Sequence, residues 1–134
     1  MSTIINEVCN RLGCEILERY LDSNGYQGTN YYLLVKDGKY SLTNYTFGTC
    51  ALCDTFQSLT EEWLNENPDC KYGDVPLEAY EFMVKAMVSE AKDCGWCTSE
   101  ELNDKLHMLV GCSYSDEMIE PMIRLKLKEV SNGS

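Results

Sequence analysis

Two cysteine pairs, Cys50-Ala51-Leu52-Cys53 and Cys94-Gly95-Trp96-Cys97, are the main chemical handle in the chain. At that spacing a tight turn can set both sulfurs on one side, and two such pairs supply the four thiolates of a tetrahedral structural zinc site. The same spacing serves thiol–disulfide exchange, and a reduced cysteine is equally a small, soft core residue. Forty residues separate Cys53 from Cys94, well beyond the roughly 15–20 of the short zinc pattern, so a shared site needs the fold to unite the pairs. Three readings therefore stay open: packing residues, a structural zinc held by Cys50, Cys53, Cys94 and Cys97, or a redox pair. Acidic surroundings and the lack of a βαβ order around either pair count against the redox one. Of the other cysteines, Cys9 lies on an apolar stripe and reads as core, while Cys14, Cys70 and Cys112 have no convincing partner.

The carboxylates are the second feature. Between residues 54 and 120 sixteen acids face four lysines, a net −12, whereas the rest of the 134-residue chain carries +1. Such a field repels nucleic acid and anionic membrane surfaces and attracts basic partners. Many of these acids fall near expected helix starts, where they complement the helix dipole. Glu61, Glu62, Glu100 and Glu101 are the candidate partner-binding residues if the acidic surface imitates phosphate charge.

Other chemistry is sparse. His107 is the single histidine, near the end of an expected helix, and nothing local pairs it with a nucleophile. The H-x-E with P-C-x-x-C pattern of zinc deaminases, a phosphate-binding glycine loop and a G-x-S-x-G elbow are all absent. An enzyme is not the favoured reading.

The elements that must position these residues can be read from periodicity. Thr3 caps a first helix with Ile5, Val8, Cys9, Leu12, Ile16, Tyr20 and Leu21 on one stripe, ending at Asn24-Gly25, and Gly13 is a weak point within it. Two aromatic and β-branched runs, 31–36 and 39–47, flank Asp37-Gly38, a strong signal for a two-residue hairpin turn. Tyr31, Tyr32, Tyr40 and Tyr45 on that hairpin form either cross-strand packing or a recognition surface. A capping box at Asp54–Gln57 opens a helix with Phe56, Leu59, Trp63 and Leu64 that stops before Pro68. Pro76 suits the first turn of a long helix running to Cys94-Gly95, and Thr98–Glu101 offers a second capping box for a helix with Leu102, Leu106 and Leu109, ending at Gly111. Residues 123–128 alternate as a half-buried strand would, and this segment is expected to extend the hairpin, although Ile119, Ile123, Leu127 and Val130 also fit a helix.

The fold class is accordingly α+β: an N-terminal helix, a β-hairpin extended to three antiparallel strands, and a helical middle section, in a single compact domain over 1–134. No segment has the length of a membrane span or the flanks of a signal peptide, which points to a soluble cytoplasmic protein with reduced thiols and demotes the Asn44-Tyr45-Thr46 sequon.

The stretch YSLTNYTFGTCALCDTFQ resembles a segment of small uncharacterised phage and prophage proteins, in which an aromatic strand runs into Y/F-G-x-C-x-x-C-D. Phe47, Gly48, Cys50, Cys53 and Asp54 carry the resemblance, over about a fifth of the chain. It implies an origin on a mobile element and hence an inhibitor of a host factor. The sequence reading is a non-catalytic acidic interaction protein, a phage-type inhibitor of a basic nucleic-acid-binding defence protein, with a structural zinc staple as one of the open readings of its cysteine pairs. The alternative is a C-x-x-C thiol oxidoreductase.

Overall fold

The computed structural model describes residues 2–23, 28–48, 55–70, 76–110 and 116–132. Eight elements follow one another: α1 (Ser2–Leu12), β1 (Glu15–Ser23), β2 (Gly28–Lys36), β3 (Lys39–Phe47), α2 (Thr55–Glu66), α3 (Leu77–Cys94), α4 (Ser99–Val110) and α5 (Asp116–Asn132). The strands form one antiparallel sheet in the order β1-β2-β3.

The hairpin is as expected. Asp37 and Gly38 both take positive φ, 51° and 77°, and Lys36 pairs with Lys39 across the turn. That backbone twist matches the right-handed twist of the flanking strands. Gly28 opens β2 where any Cβ would collide with the Asp22 carbonyl and the Phe47 ring.

The first helix is shorter than expected. It closes at Leu12 through a Schellman motif: Gly13, at φ 70°, donates its N–H to Asn10 O at 3.3 Å and Cys14 donates to Cys9 O at 3.0 Å. Residues 15–23 then pair with β2, with a bulge between Ile16 and Glu18. The helical stripe of Ile16, Tyr20 and Leu21 lost because only Tyr20 is deeply buried, while Ile16 and Leu21 stay 36% and 52% exposed. A ladder against an aromatic central strand outweighs the modest helix propensity of these residues.

The C-terminal segment corrects the strand expectation in the opposite sense. The third strand is β1, and 116–132 is helix α5. Ile119, Ile123 and Leu127, at four-residue spacing, are buried, whereas Leu125, which a half-buried strand would have to bury, is 67% exposed. Arg124 reaches back one turn to Glu120 at 2.6 Å, a pairing that helical spacing creates.

Both faces of the sheet are covered. Helices α1, α2 and α3 pack on one, where Ile5, Val8, Cys9, Leu12, Phe56, Met83, Val84 and Met87 meet Tyr32, Leu34 and Tyr45. Helices α4 and α5 pack on the other, where Leu102, Leu106, Val110, Ile119, Ile123 and Leu127 meet Tyr20, Tyr31, Leu33 and Leu42. The hairpin tyrosines are packing residues: Tyr31, Tyr32 and Tyr45 are 3–6% exposed, and Tyr45 lies between Tyr32 and Phe56 with ring centroids 5.9 and 4.6 Å away. No helix among the described residues is long and apolar enough to cross a membrane.

Candidate functional site

Strand β3 forms an edge of the sheet, and each of its ends is tied to a neighbouring helix start. At its start, Tyr40 exchanges two backbone bonds with Cys97, at 2.7 and 3.0 Å, so the crossing from α3 to α4 is held against the sheet edge. Near its end, the Thr46 N–H donates to Thr55 Oγ1 at 2.9 Å, fixing the first turn of α2. These anchors are six residues apart, about 20 Å in an extended strand. Cys50 and Cys53 precede Thr55 and lie outside the described residues, as do the Asp54 cap and Cys112; the side chain of Cys94 is not described either. Cys97 is 4% exposed, packs with Leu102 and Leu106, and donates its S–H to Tyr40 O at 3.6 Å. Among the described residues no three of His, Cys, Asp and Glu gather in a way that could hold a metal ion.

A different cysteine pair is assembled instead. In the α1 Schellman motif the third residue from the helix end and the second residue beyond it come into side-chain contact, and here these are Cys9 and Cys14. The two thiols lie close enough to influence each other's ionisation. Burial pushes Cys9 up to about 12, with further upward contributions from its neighbour Cys14. Burial also raises Cys14, offset by its neighbour Cys9 and by the positive charge of Lys36. Cys14 thus has a partner that its sequence position concealed. The signal was C-x-x-x-G-C at a helix end, with Gly13 supplying the positive φ.

The acidic candidates are divided between the two helical layers. Glu61 and Glu62 are exposed on α2, with Glu66 and Asp69 beyond them, and among the described residues none of these four makes an ion pair. Glu100 and Glu101 are exposed on α4, on the other side of the sheet. Glu101 is engaged in the expected capping box: its N–H donates to Thr98 Oγ1 at 3.2 Å, and its carboxylate accepts from the Thr98 N–H at 3.1 Å. Those bonds hold the Glu101 carboxyl below the usual range. Glu100 borders a groove of about 560 Å³ between α4 and α5 whose other wall carries Arg124 and Lys128, so positive charge lies close to it.

No family model, curated protein or solved structure matches this chain. Its chemistry must be read from its own side chains. Several cations are engaged within the molecule. Arg11 bonds Glu81 at 2.6 Å and Glu7 at 3.3 Å, Arg124 bonds Glu120 and the Asn103 carbonyl, and Lys36 lies 5.8 Å from the Trp96 ring centre. His107 is 82% exposed and faces Glu120 at 3.4 Å, within the α4–α5 layer.

Proposed function

We propose that the protein is a non-catalytic acidic interaction module that engages a basic protein partner, of the kind a phage uses to occupy a nucleic-acid-binding defence protein. The observation that carries this reading is the contrast in how charge is used. Both described arginine-centred ion-pair sets, at Arg11 and Arg124, are satisfied inside the molecule, whereas the exposed α2 acids Glu61, Glu62 and Glu66 make no ion pair among the described residues. An unneutralised anionic patch steers and holds cationic partners through the electrostatics that draw such partners to phosphate. The mobile-element setting rests on the resemblance of the 40–57 stretch. Glu61 and Glu62 are the better contacts of the four candidates, since Glu101 is committed to the helix cap and Glu100 borders a basic wall.

The test is competition with fluorescently labelled duplex DNA for a panel of basic nucleases. Displacement of DNA that weakens as salt rises, and falls about tenfold with Glu61→Lys plus Glu62→Lys but little with Glu100→Lys, is the expected result. Failure to displace DNA from any member, or displacement indifferent to salt and to both substitutions, would remove the reading.

A further inference from the structure

The junction of α1 and β1 holds a dithiol that belongs to neither C-x-x-C pair. We propose that Cys9 and Cys14 form a site of reversible thiol–disulfide exchange, closing into an intramolecular disulfide at the expense of a small-molecule disulfide such as oxidised glutathione. This site stands apart from the basic-partner reading and does not depend on it.

The backbone places the pair within bonding reach. The Cys14 N–H to Cys9 O bond is 3.0 Å long. Adding the fixed covalent distances on either side limits the Cα separation to about 6.9 Å, against a usual disulfide range of about 4.4–6.8 Å. Cys9 and Cys14 occupy the two positions of the Schellman motif whose side chains come into contact across the helix end. Gly13 makes this possible, because its positive φ reverses the chain and sets Cys14 over the last helical turn.

The two sulfurs are unequal, which assigns their order of reaction. Cys9 is 6% exposed in the core, whereas Cys14 is half-buried at the surface. Lys36 is the cation beside Cys14: its Cε lies 3.9 Å from where a Cβ on Gly13 would stand, and its charge favours the Cys14 thiolate. Cys14 therefore attacks one sulfur of glutathione disulfide, forming a mixed disulfide and expelling one glutathione thiolate. Cys9 then loses its proton to solvent and attacks the Cys14 sulfur, expelling the second. Two protein thiols give up two electrons and two protons, and one glutathione disulfide becomes two glutathiones. Burial disfavours both protein thiolates, so each is a poor leaving group and reopening is slow. Closure fixes the end of α1 to the start of β1.

Trypsin provides a direct readout, since cleavage after Arg11 and Arg19 separates the two cysteines into peptides 1–11 and 12–19. The reduced full-length chain is exposed to oxidised glutathione at mildly alkaline pH, quenched in acid, alkylated and mapped by mass spectrometry. The expected product is the two peptides joined, with glutathionylated Cys14 as its transient precursor. Cys9→Ser should leave glutathione trapped on Cys14, and Cys14→Ser should leave Cys9 unmodified. Glutathione persisting on Cys14 in the wild type as it does in Cys9→Ser would overturn the proposal, as would both peptides remaining reduced. Should either variant lose its circular dichroism signature, the wild-type map alone decides.

Discussion

The two helical layers solve the same covering problem with different materials. The α1–α3 layer packs mixed shapes, with Tyr32, Tyr45, Phe56, Met83, Met87 and Cys9 in one cluster. The α4–α5 layer is built almost wholly from Leu, Ile and Val against Tyr20, Tyr31, Leu33 and Leu42. Flexible, polarizable side chains fill irregular gaps and can resettle, whereas branched aliphatics interlock in fewer ways. One layer is adaptable and carries the dithiol and the unpaired α2 acids; the other is tightly specified and holds the Glu120–Arg124 pair.

The sharpest test of that contrast uses two neighbours on β2. Leu33 and Leu34 are both 0% exposed and point to opposite layers. Truncating a buried leucine costs about 2–5 kcal/mol, depending on how far the site collapses around the cavity. Leu33→Ala should fall near the upper end of that range, and Leu34→Ala near the lower end, because Met83 and Met87 can relax towards it. Urea denaturation of both variants measures this, and an equal or reversed order would end the distinction.

Buried tyrosine hydroxyls give a smaller effect, confined to the α4–α5 side. Tyr31 Oη donates to the Val110 carbonyl at 2.9 Å, tying the sheet to the last turn of α4. Tyr20 Oη is buried with no hydrogen-bond partner among the described residues, and burial, aided by Glu18 and Glu129, raises its phenol to about 12. Tyr31→Phe should cost about 1 kcal/mol, while Tyr20→Phe should be neutral or stabilising, since it deletes an unsatisfied polar group. Thermal melts of the two variants moving in the same direction would contradict this account.

The smallest expected difference is in acid. Glu101 is held below the usual carboxylate range by the Thr98 backbone and hydroxyl, and Glu120 by the Arg124 hydrogen bond, assisted by His107. For both, the folded value lies below the unfolded one, so their contribution is complete above about pH 4.3 and disappears as pH falls through the folded values. Glu90 on α3 is the reverse, raised by desolvation and then by Asp93. Its penalty is present above the raised value and vanishes as pH falls towards the usual carboxylate range. Amide exchange followed from neutral to acid pH should therefore show α3 gaining protection relative to α4. Parallel changes in the two helices would count against it.

How legible the chain was depends on where each signal resides. Asp37-Gly38 and the Thr98–Glu101 box name their structures, because positive φ and a reciprocal cap are properties of a few adjacent residues, whereas Pro76 marks the start of α3 from its extended N-cap, one place before the first turn expected for it. Residues 15–23 and 123–128 misled because each fits two periods, and the choice rests on which neighbour buries the apolar set. The Cys9–Cys14 contact was hidden for a related reason. It exists only once α1 ends at Gly13, and that ending is settled by the pairing of β1 with β2.

By itself, then, the sequence determined the α+β class, the hairpin, the helix starts at Pro76 and Thr98, and the concentration of negative charge between residues 54 and 120. The tertiary structure alone decided that β1 completes the sheet and α5 covers it, that the acids are split between two layers, and which thiols meet. Local rules act over a few residues and are written in order along the chain. Burial is a competition among distant segments for the same apolar surface, and only the folded molecule shows which of them won it.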